Sequence, residues 1–263
     1  LDIIHLVSVE QSRFGNIVNI IFNMKQVKNL QIDYGIFFNC ENAIKFTMKH
    51  ISQLINIRNS NFTYCISKTS GAAITINKMR NIRKRNRKIK KEEYVPDEII
   101  WLTNISFDHL IFENSHSKSN GGAISISQDH KDRSKNIRTI VSVNLTNSIF
   151  INNKANKAGG AIYMYLPRID NIYIGFCKFA KNFANKGGSI KICHTKVLYS
   201  YKNTFIYSRA SQISSAIFLE NVDNIKSFGC TFIGTPIIFK NIDETLKQVK
   251  NLQIDYGIFF NCE

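Results

Sequence analysis

The sequence predicts an all-β protein, a right-handed parallel β-helix of about nine coils with two inserted loops. Three observations predict it. A phenylalanine recurs at an almost fixed step, at Phe14, Phe37, Phe62, Phe112, Phe150, Phe179, Phe205, Phe232 and Phe259. Seven residues before each of them stands an aliphatic side chain: Val7, Leu30, Ile55, Ile105, Val143, Ile172, Leu198, Ile225 and Leu252. After the phenylalanine comes a pair of apolar residues one position apart, as in Ile74/Ile76, Ile124/Ile126, Ile162/Met164 and Ile190/Ile192. That spacing is the period of a strand with one buried face. A short period carried along a whole chain is the mark of a solenoid.

The elements of a coil follow in order. The aliphatic position opens the first strand, often behind an asparagine (Asn29, Asn104, Asn171, Asn224, Asn251), which tolerates a tight bend and can bond the backbone. The phenylalanine marks a second strand and the apolar pair a third, with polar or glycine-bearing bends between them. Stacked in parallel at about 4.8 Å per coil, nine such rows give a rod on the order of 40 Å long. One continuous apolar core would run through it, so no coil is stable alone. A sandwich would not need the same side chains in register at every row. The right hand follows from the chirality of parallel crossovers. Steps between markers are 23 to 29 residues except from Phe62 to Phe112 and from Phe112 to Phe150. Each long step contains a charged stretch that reads as an insertion, at 77–99 and 127–139, in an otherwise single domain spanning 1–263.

In its strictest copies the motif reads Phe150-Ile151-Asn152-Asn153 followed by Gly159-Gly160-Ala161-Ile162, and Phe179-Ala180-Lys181-Asn182 followed by Gly187-Gly188-Ser189-Ile190. Looser copies run from Phe112 to Gly121-Gly122-Ala123-Ile124 and from Phe62 to Gly71-Ala72-Ala73-Ile74. The pattern resembles the repeat of the chlamydial polymorphic outer membrane proteins and their β-helical relatives. Its clear copies cover residues 105 to 192. The resemblance implies a surface-exposed passenger used in adhesion. It also implies a folding signature with no catalytic residues to carry over.

Residues Lys25 to Glu41 recur identically at Lys247 to Glu263. The duplicate suggests a window of a longer protein with a super-repeat of 222 residues, or else a local duplication. No signal-peptide pattern and no apolar run near 18 residues is present, so no transmembrane segment is expected.

The formal charge of +16 points towards polyanions. Much of it is local: the stretch from Lys78 to Lys91 holds nine basic residues, among them Arg83, Lys84, Arg85, Arg87 and Lys88. Such a loop can grip acidic glycans or an anionic surface, or serve only as solvated surface. It lacks interleaved aromatics, which argues against specific nucleic-acid binding.

Six cysteines show no metal-ligand spacing. Cys40 and Cys65 occupy equivalent places in adjacent rows, within disulfide range, although a ladder of buried thiols fits in-register strands better. Asn61, Asn104 and Asn144 open N-glycosylation sequons. No cofactor or metal is expected. Carbohydrate-active β-helices need converging carboxylates, and here acids are scattered. Asp33, Asp108 and Asp255 share one column but are interrupted by Arg58, and Asp108-His109 beside Glu113 is the best local group.

The outward faces offer more. Tyr173 and Tyr199, with Tyr163 near them, form a possible glycan face. Ile206, Ile233 and Phe260, flanked by Phe218 and Ile238, form an apolar strip suited to self-association. The outward positions of the third strand run Lys45, Thr75, Ser125, Tyr163, Lys191 and Phe218. The sequence therefore points to a non-catalytic structural solenoid of an adhesin-like or fibre-forming protein, extracellular or at the cell surface, whose main partner is itself. The alternative is a carbohydrate-binding or polysaccharide-cleaving β-helix.

Overall fold

The computed structural model describes residues 4–16, 27–48, 53–78, 101–128, 139–214, 216–235, 251–260 and 262. Every regular element among them is a β-strand, and every pairing is parallel. The strands form three sheets that run along a parallel β-helix: a long sheet of 12 strands, a phenylalanine sheet of nine and a short sheet of five.

The phenylalanine sheet sets the register. Its strands are only three residues long, from Arg13–Gly15 through Asn61–Thr63 and Ile149–Ile151 to Ile258–Phe260. Each pairs with the next row so that marker meets marker. All nine phenylalanines consequently stack in one column, with ring centroids 4.6–5.2 Å apart and planes within 4–15° of parallel. The inter-strand spacing of a sheet is about 4.7–4.9 Å, so the backbone ladder itself brings the rings to stacking distance. Phe37, Phe62, Phe112, Phe150, Phe179 and Phe205 are wholly buried.

Each three-residue strand lies between two corners, and both are made the same way. The residue three before the marker has positive φ in all nine coils, from Gln11 (46°) through Asn147 (49°) to Tyr256 (53°). The residue two after it does so from Asn16 (55°) to Gly234 (50°). A left-handed residue turns the chain while the next side chain points inward. Asparagine accepts this conformation at little cost, which explains Asn16, Asn39, Asn114 and Asn152 in the second corner.

The aliphatic column opens the long sheet, in Val27–Asp33, Gln53–Arg58, Trp101–Asp108 and Thr139–Thr146. The apolar pair forms Ile44–Met48, Ile74–Lys78 and Ile124–Gln128. In the later coils these two strands are not separate. Ile162–Gly175, Ile190–Tyr201 and Ile217–Phe228 each run without a break from the apolar pair of one coil into the aliphatic strand of the next. The third strand expected for every row is therefore separate only in the earlier rows, and those at Phe62 and Phe112 add a fourth, Ile66–Ser67 and His116–Ser117, which belongs to the short sheet. There the described strands end at Lys78 and Gln128 and the next begin at Trp101 and Thr139, and the intervening segments lie outside the described residues.

A second difference concerns the outer face of the third strand. Thr75 is 4% exposed, Ser125 1% and Phe218 7%. The glycine turn folds back over this face: Thr75 Oγ1 donates to the carbonyls of Ser70 and Gly71 at 2.7 and 2.8 Å. Gly71, Gly121, Gly159 and Gly187 have φ of 61–65° there, and a Cβ on any of them would meet the backbone carbonyl three residues on. The second glycine has its own reason. A Cβ on Gly122 or Gly160 would strike the carbonyl of the next coil's glycine. The Gly-Gly of the coils at Phe112 and Phe150 is thus a packing requirement at both positions, whereas the coil at Phe62 takes Ala72 at the second.

Candidate functional site

The inward side chain of each corner follows the left-handed residue, and the bend leaves a backbone N–H that the sheet ladder does not take up. A polar side chain one coil further on accepts it. Ser60 Oγ accepts from Gly35 N–H at 2.9 Å and Ser148 Oγ from Leu110 N–H at 3.1 Å. Asn203 Oδ1 accepts from Cys177 N–H at 2.9 Å. At the other corner Asn153 Oδ1 accepts from Ser115 N–H and Asn182 Oδ1 from Asn153 N–H. The asparagines do twice the work, because Nδ2 of Asn153 and of Asn182 also donates to the carbonyls of Phe112 and Phe150, each at 3.0 Å. Buried peptide groups are costly when unpaired. The asparagine of Phe-x-x-Asn is therefore an inter-coil clamp. Sequence reasoning recognised the motif but not this role. The signal was there in the restriction of the corner position to Cys, Ser, Asn and Thr from Cys40 to Cys262.

Cys40, Cys65, Cys177, Cys230 and Cys262 occupy these same corners, whereas Cys193 lies within the strand Ile190–Tyr201, its thiol against Glu220 Oε2 at 3.6 Å. All six are free, and Cys40, Cys65, Cys177, Cys193 and Cys230 are buried. The corner thiols donate to backbone carbonyls, as Cys177 Sγ does to Gly175 O at 3.3 Å and Cys230 Sγ to Ser200 O at 3.6 Å. Burial, joined by the neighbouring Cys40, pushes the Cys65 thiol up to about 12. Burial likewise pushes Cys177 and Cys193 to about 12. Protonated thiols of this kind are inert.

The acids repeat one arrangement. Asp33 accepts Arg58 Nε at 2.7 Å and Asn59 Nδ2 at 2.9 Å. Two coils on, Asp108 accepts Thr146 Oγ1 at 2.6 Å and Asn147 Nδ2 at 2.9 Å, with His109 Nδ1 beside it at 2.8 Å. In both cases the carboxylate reaches the equivalent residue of the next coil and the left-handed residue after it. Burial works to raise the Asp108 carboxyl. The hydrogen bonds from Thr146, Asn147 and His109 outweigh it and hold the group below its ordinary value. Glu113 stands round the corner on the phenylalanine sheet, in register with Thr63 and Ile151, and no hydrogen bond joins it to Asp108 or His109. Among the described residues no group of three His, Cys, Asp or Glu could hold a metal ion.

The expected surface features separate into different columns. Tyr173 and Tyr199 are in register, and Lys226 Nζ sits 5.6 Å over the Tyr199 ring. Tyr163 is not part of that face. It pairs with Lys191 at the opposite end of the long strand, where burial pushes its hydroxyl up to about 12. The tyrosine face instead adjoins Phe176, Tyr201, Phe228 and Tyr256. Tyr201 stacks on Phe228 at 5.3 Å, and Phe176 meets Tyr201 edge-on at 5.2 Å. Ile206, Ile233 and Phe260 do form one outer column of the phenylalanine sheet, the first two half-buried and Phe260 60% exposed. Phe218 does not flank it. That ring belongs to the long sheet, buried against the glycine turn with Lys191 Nζ 4.8 Å above it. Ile238 and the basic residues Arg83, Lys84, Arg85, Arg87 and Lys88 lie outside the described residues. Asn61, Asn104 and Asn144 are exposed.

One concave feature was not anticipated. A cleft of about 390 Å³ opens across the second to fourth coils, at the outer side of the second corner, lined by Phe38, Asn39, Tyr64, Ile66, Asn114 and His116. Its residues fall one, two and four places after the marker, a set that only the corner geometry brings together.

The fold and its clamps define a class: a parallel β-helix whose signature residues hold coil to coil. The family model of the Chlamydia polymorphic membrane protein repeat matches residues 147–164, which hold one of the two strictest copies of the motif, and the chain carries a repeat of that type there. No curated protein and no solved structure matches the chain.

Proposed function

We propose that this chain is a non-catalytic structural β-solenoid of a cell-surface or extracellular protein, an adhesin-like or fibre-forming stalk. The observation that carries the proposal is the use to which the matched repeat is put. Phe150 stacks, Asn153 clamps, and Gly159 and Gly160 admit the turn and the neighbouring backbone, so the signature is consumed by the scaffold. Proteins of the matched family are membrane proteins by description, and a surface position follows for this chain by that similarity. The described acids support a non-catalytic role, since Asp33 and Asp108 serve as inter-coil clamps.

The exposed outer columns are where partners would bind. The Ile206/Ile233/Phe260 column is suited to a second copy of the chain, and the basic composition of the stretch 78–91 is suited to acidic surfaces through a salt-dependent contact. Protease shaving of intact source cells tests the surface assignment: peptides from this chain should be released without lysis. Release only after lysis would refute it. Incubation with a panel of polysaccharides should give no new reducing ends and no unsaturated uronides. Turnover there would favour the polysaccharide-cleaving alternative.

A further inference from the structure

We propose that the cleft of Phe38, Asn39, Tyr64, Ile66, Asn114 and His116 binds an uncharged sugar ring of a glycan. The proposal rests on the surface reading and names the class of partner for it.

The lining combines two chemistries that one ligand class shares. Phe38, Tyr64 and Ile66 are 41%, 52% and 50% exposed, and the two rings meet edge-on at 5.9 Å. They offer flat apolar surface of the kind that covers the CH face of a pyranose. Around them stand two amides and an imidazole. Asn39 Nδ2 is tied to Asn16 Oδ1 at 2.9 Å, and His116 Nε2 is oriented by Asn156 Oδ1 at 3.1 Å. Among the described residues, none hydrogen-bonds the side-chain amide of Asn114. A purely apolar ligand would desolvate these groups without replacing their hydrogen bonds. A hydroxylated ring satisfies both sets.

Among the described residues that line the cleft none is Asp, Glu, Lys or Arg, which favours an uncharged ring over a uronate or a sulphated sugar. The volume of about 390 Å³ is that of a small-ligand site. A second copy of the chain would need a contact far larger than this cleft.

Pre-organisation adds to the argument. Asn39, Tyr64 and Asn114 are consecutive members of the second-corner column, with φ of 51°, 52° and 54°. Hydrogen-bonded backbone on both sides fixes the directions of their side chains, so little ordering remains for binding. Tyr64 also interrupts the asparagines Asn16, Asn39, Asn114 and Asn152, in a conformation that asparagine tolerates better than tyrosine.

The test uses the full 263-residue chain on an array of neutral and charged glycans, followed by calorimetry on the strongest binder. A neutral glycan should bind. Its affinity should fall at least tenfold in Tyr64→Asn and in Asn114→Ala, and stay unchanged in Tyr199→Ala and on raising the salt. Tyr64→Asn is expected to melt at or above the wild-type temperature, so its loss of binding cannot be assigned to misfolding. Binding of charged glycans alone, no glycan binding, or wild-type affinity in folded Tyr64→Asn would each overturn the proposal. Failure of surface display is read independently by shaving intact cells.

Discussion

Asn153 shows how a single side chain joins two coils. Its amide accepts the N–H of Ser115 and donates to the carbonyl of Phe112, both in the preceding row and both shut off from water. Asn153→Ala removes both bonds at once and should lower stability by about 2–4 kcal/mol in a denaturant titration. Asn156→Ala, three residues on and exposed, should stay within about 0.5 kcal/mol of wild type. The buried thiols give a second expectation at this scale. With Cys65, Cys177 and Cys193 pushed up to about 12, almost no thiolate is present at pH 8. Alkylation of these three in the folded protein should be slower than in the unfolded chain by roughly a thousandfold, set against an ordinary thiol near 8.5. Peptide mass mapping after brief iodoacetamide treatment would show it, and rapid labelling of Cys65 would contradict the burial.

The corner is the element that repeats most faithfully, although its residue types vary most. Position three before the marker is left-handed whether it holds Asn59, His109, Phe176 or Gly229. Neighbouring coils dictate that conformation more than the residue itself does. This explains what was legible in the sequence. The phenylalanine and aliphatic columns could be read because only large apolar side chains fill an inward position. The corners were legible only as polar bends, since several residue types can accept a buried N–H. The continuous strands from Ile162 onwards were missed because nothing in the local pattern separates a bend from an uninterrupted run.

The Asp108 clamp belongs to the same element and carries a pH dependence. Its folded pKa lies below the unfolded value of about 3.9, so its contribution is present above that value and is lost as the pH falls through the folded one. The stability difference between wild type and Asp108→Asn should be greatest above about pH 4 and shrink below it. About a third of the Asp108 side chain is exposed, and solvent screening keeps the effect small. A difference that grew on acidification would reverse the sign assigned here.

At the scale of the whole molecule, surface chemistry varies along a constant core. Columns that are asparagine or serine in the early coils become tyrosine and lysine in the later ones, as in the run Asn56, Ser106, Asn144, Tyr173, Tyr199 and Lys226. Function was harder to read than fold for this reason. The core repeats, whereas a cleft such as that of Phe38, Tyr64 and Asn114 draws on three coils that share no sequence signal. The Ile206/Ile233/Phe260 column supplies a prediction on assembly. Ile233→Lys places a charge in its centre and should shift sedimentation towards monomer without lowering the melting temperature. Unchanged association would exclude that face.

The account rests on signature residues that hold successive coils in register, and electron–electron distances test this most directly. Spin labels on the outward column, in the pairs Asn56/Tyr199, Asn56/Lys226 and Gln31/Lys226, span four, five and six coil steps. The account predicts distances that rise by about 4.8 Å for each added coil. Distances that do not grow with coil number would contradict it.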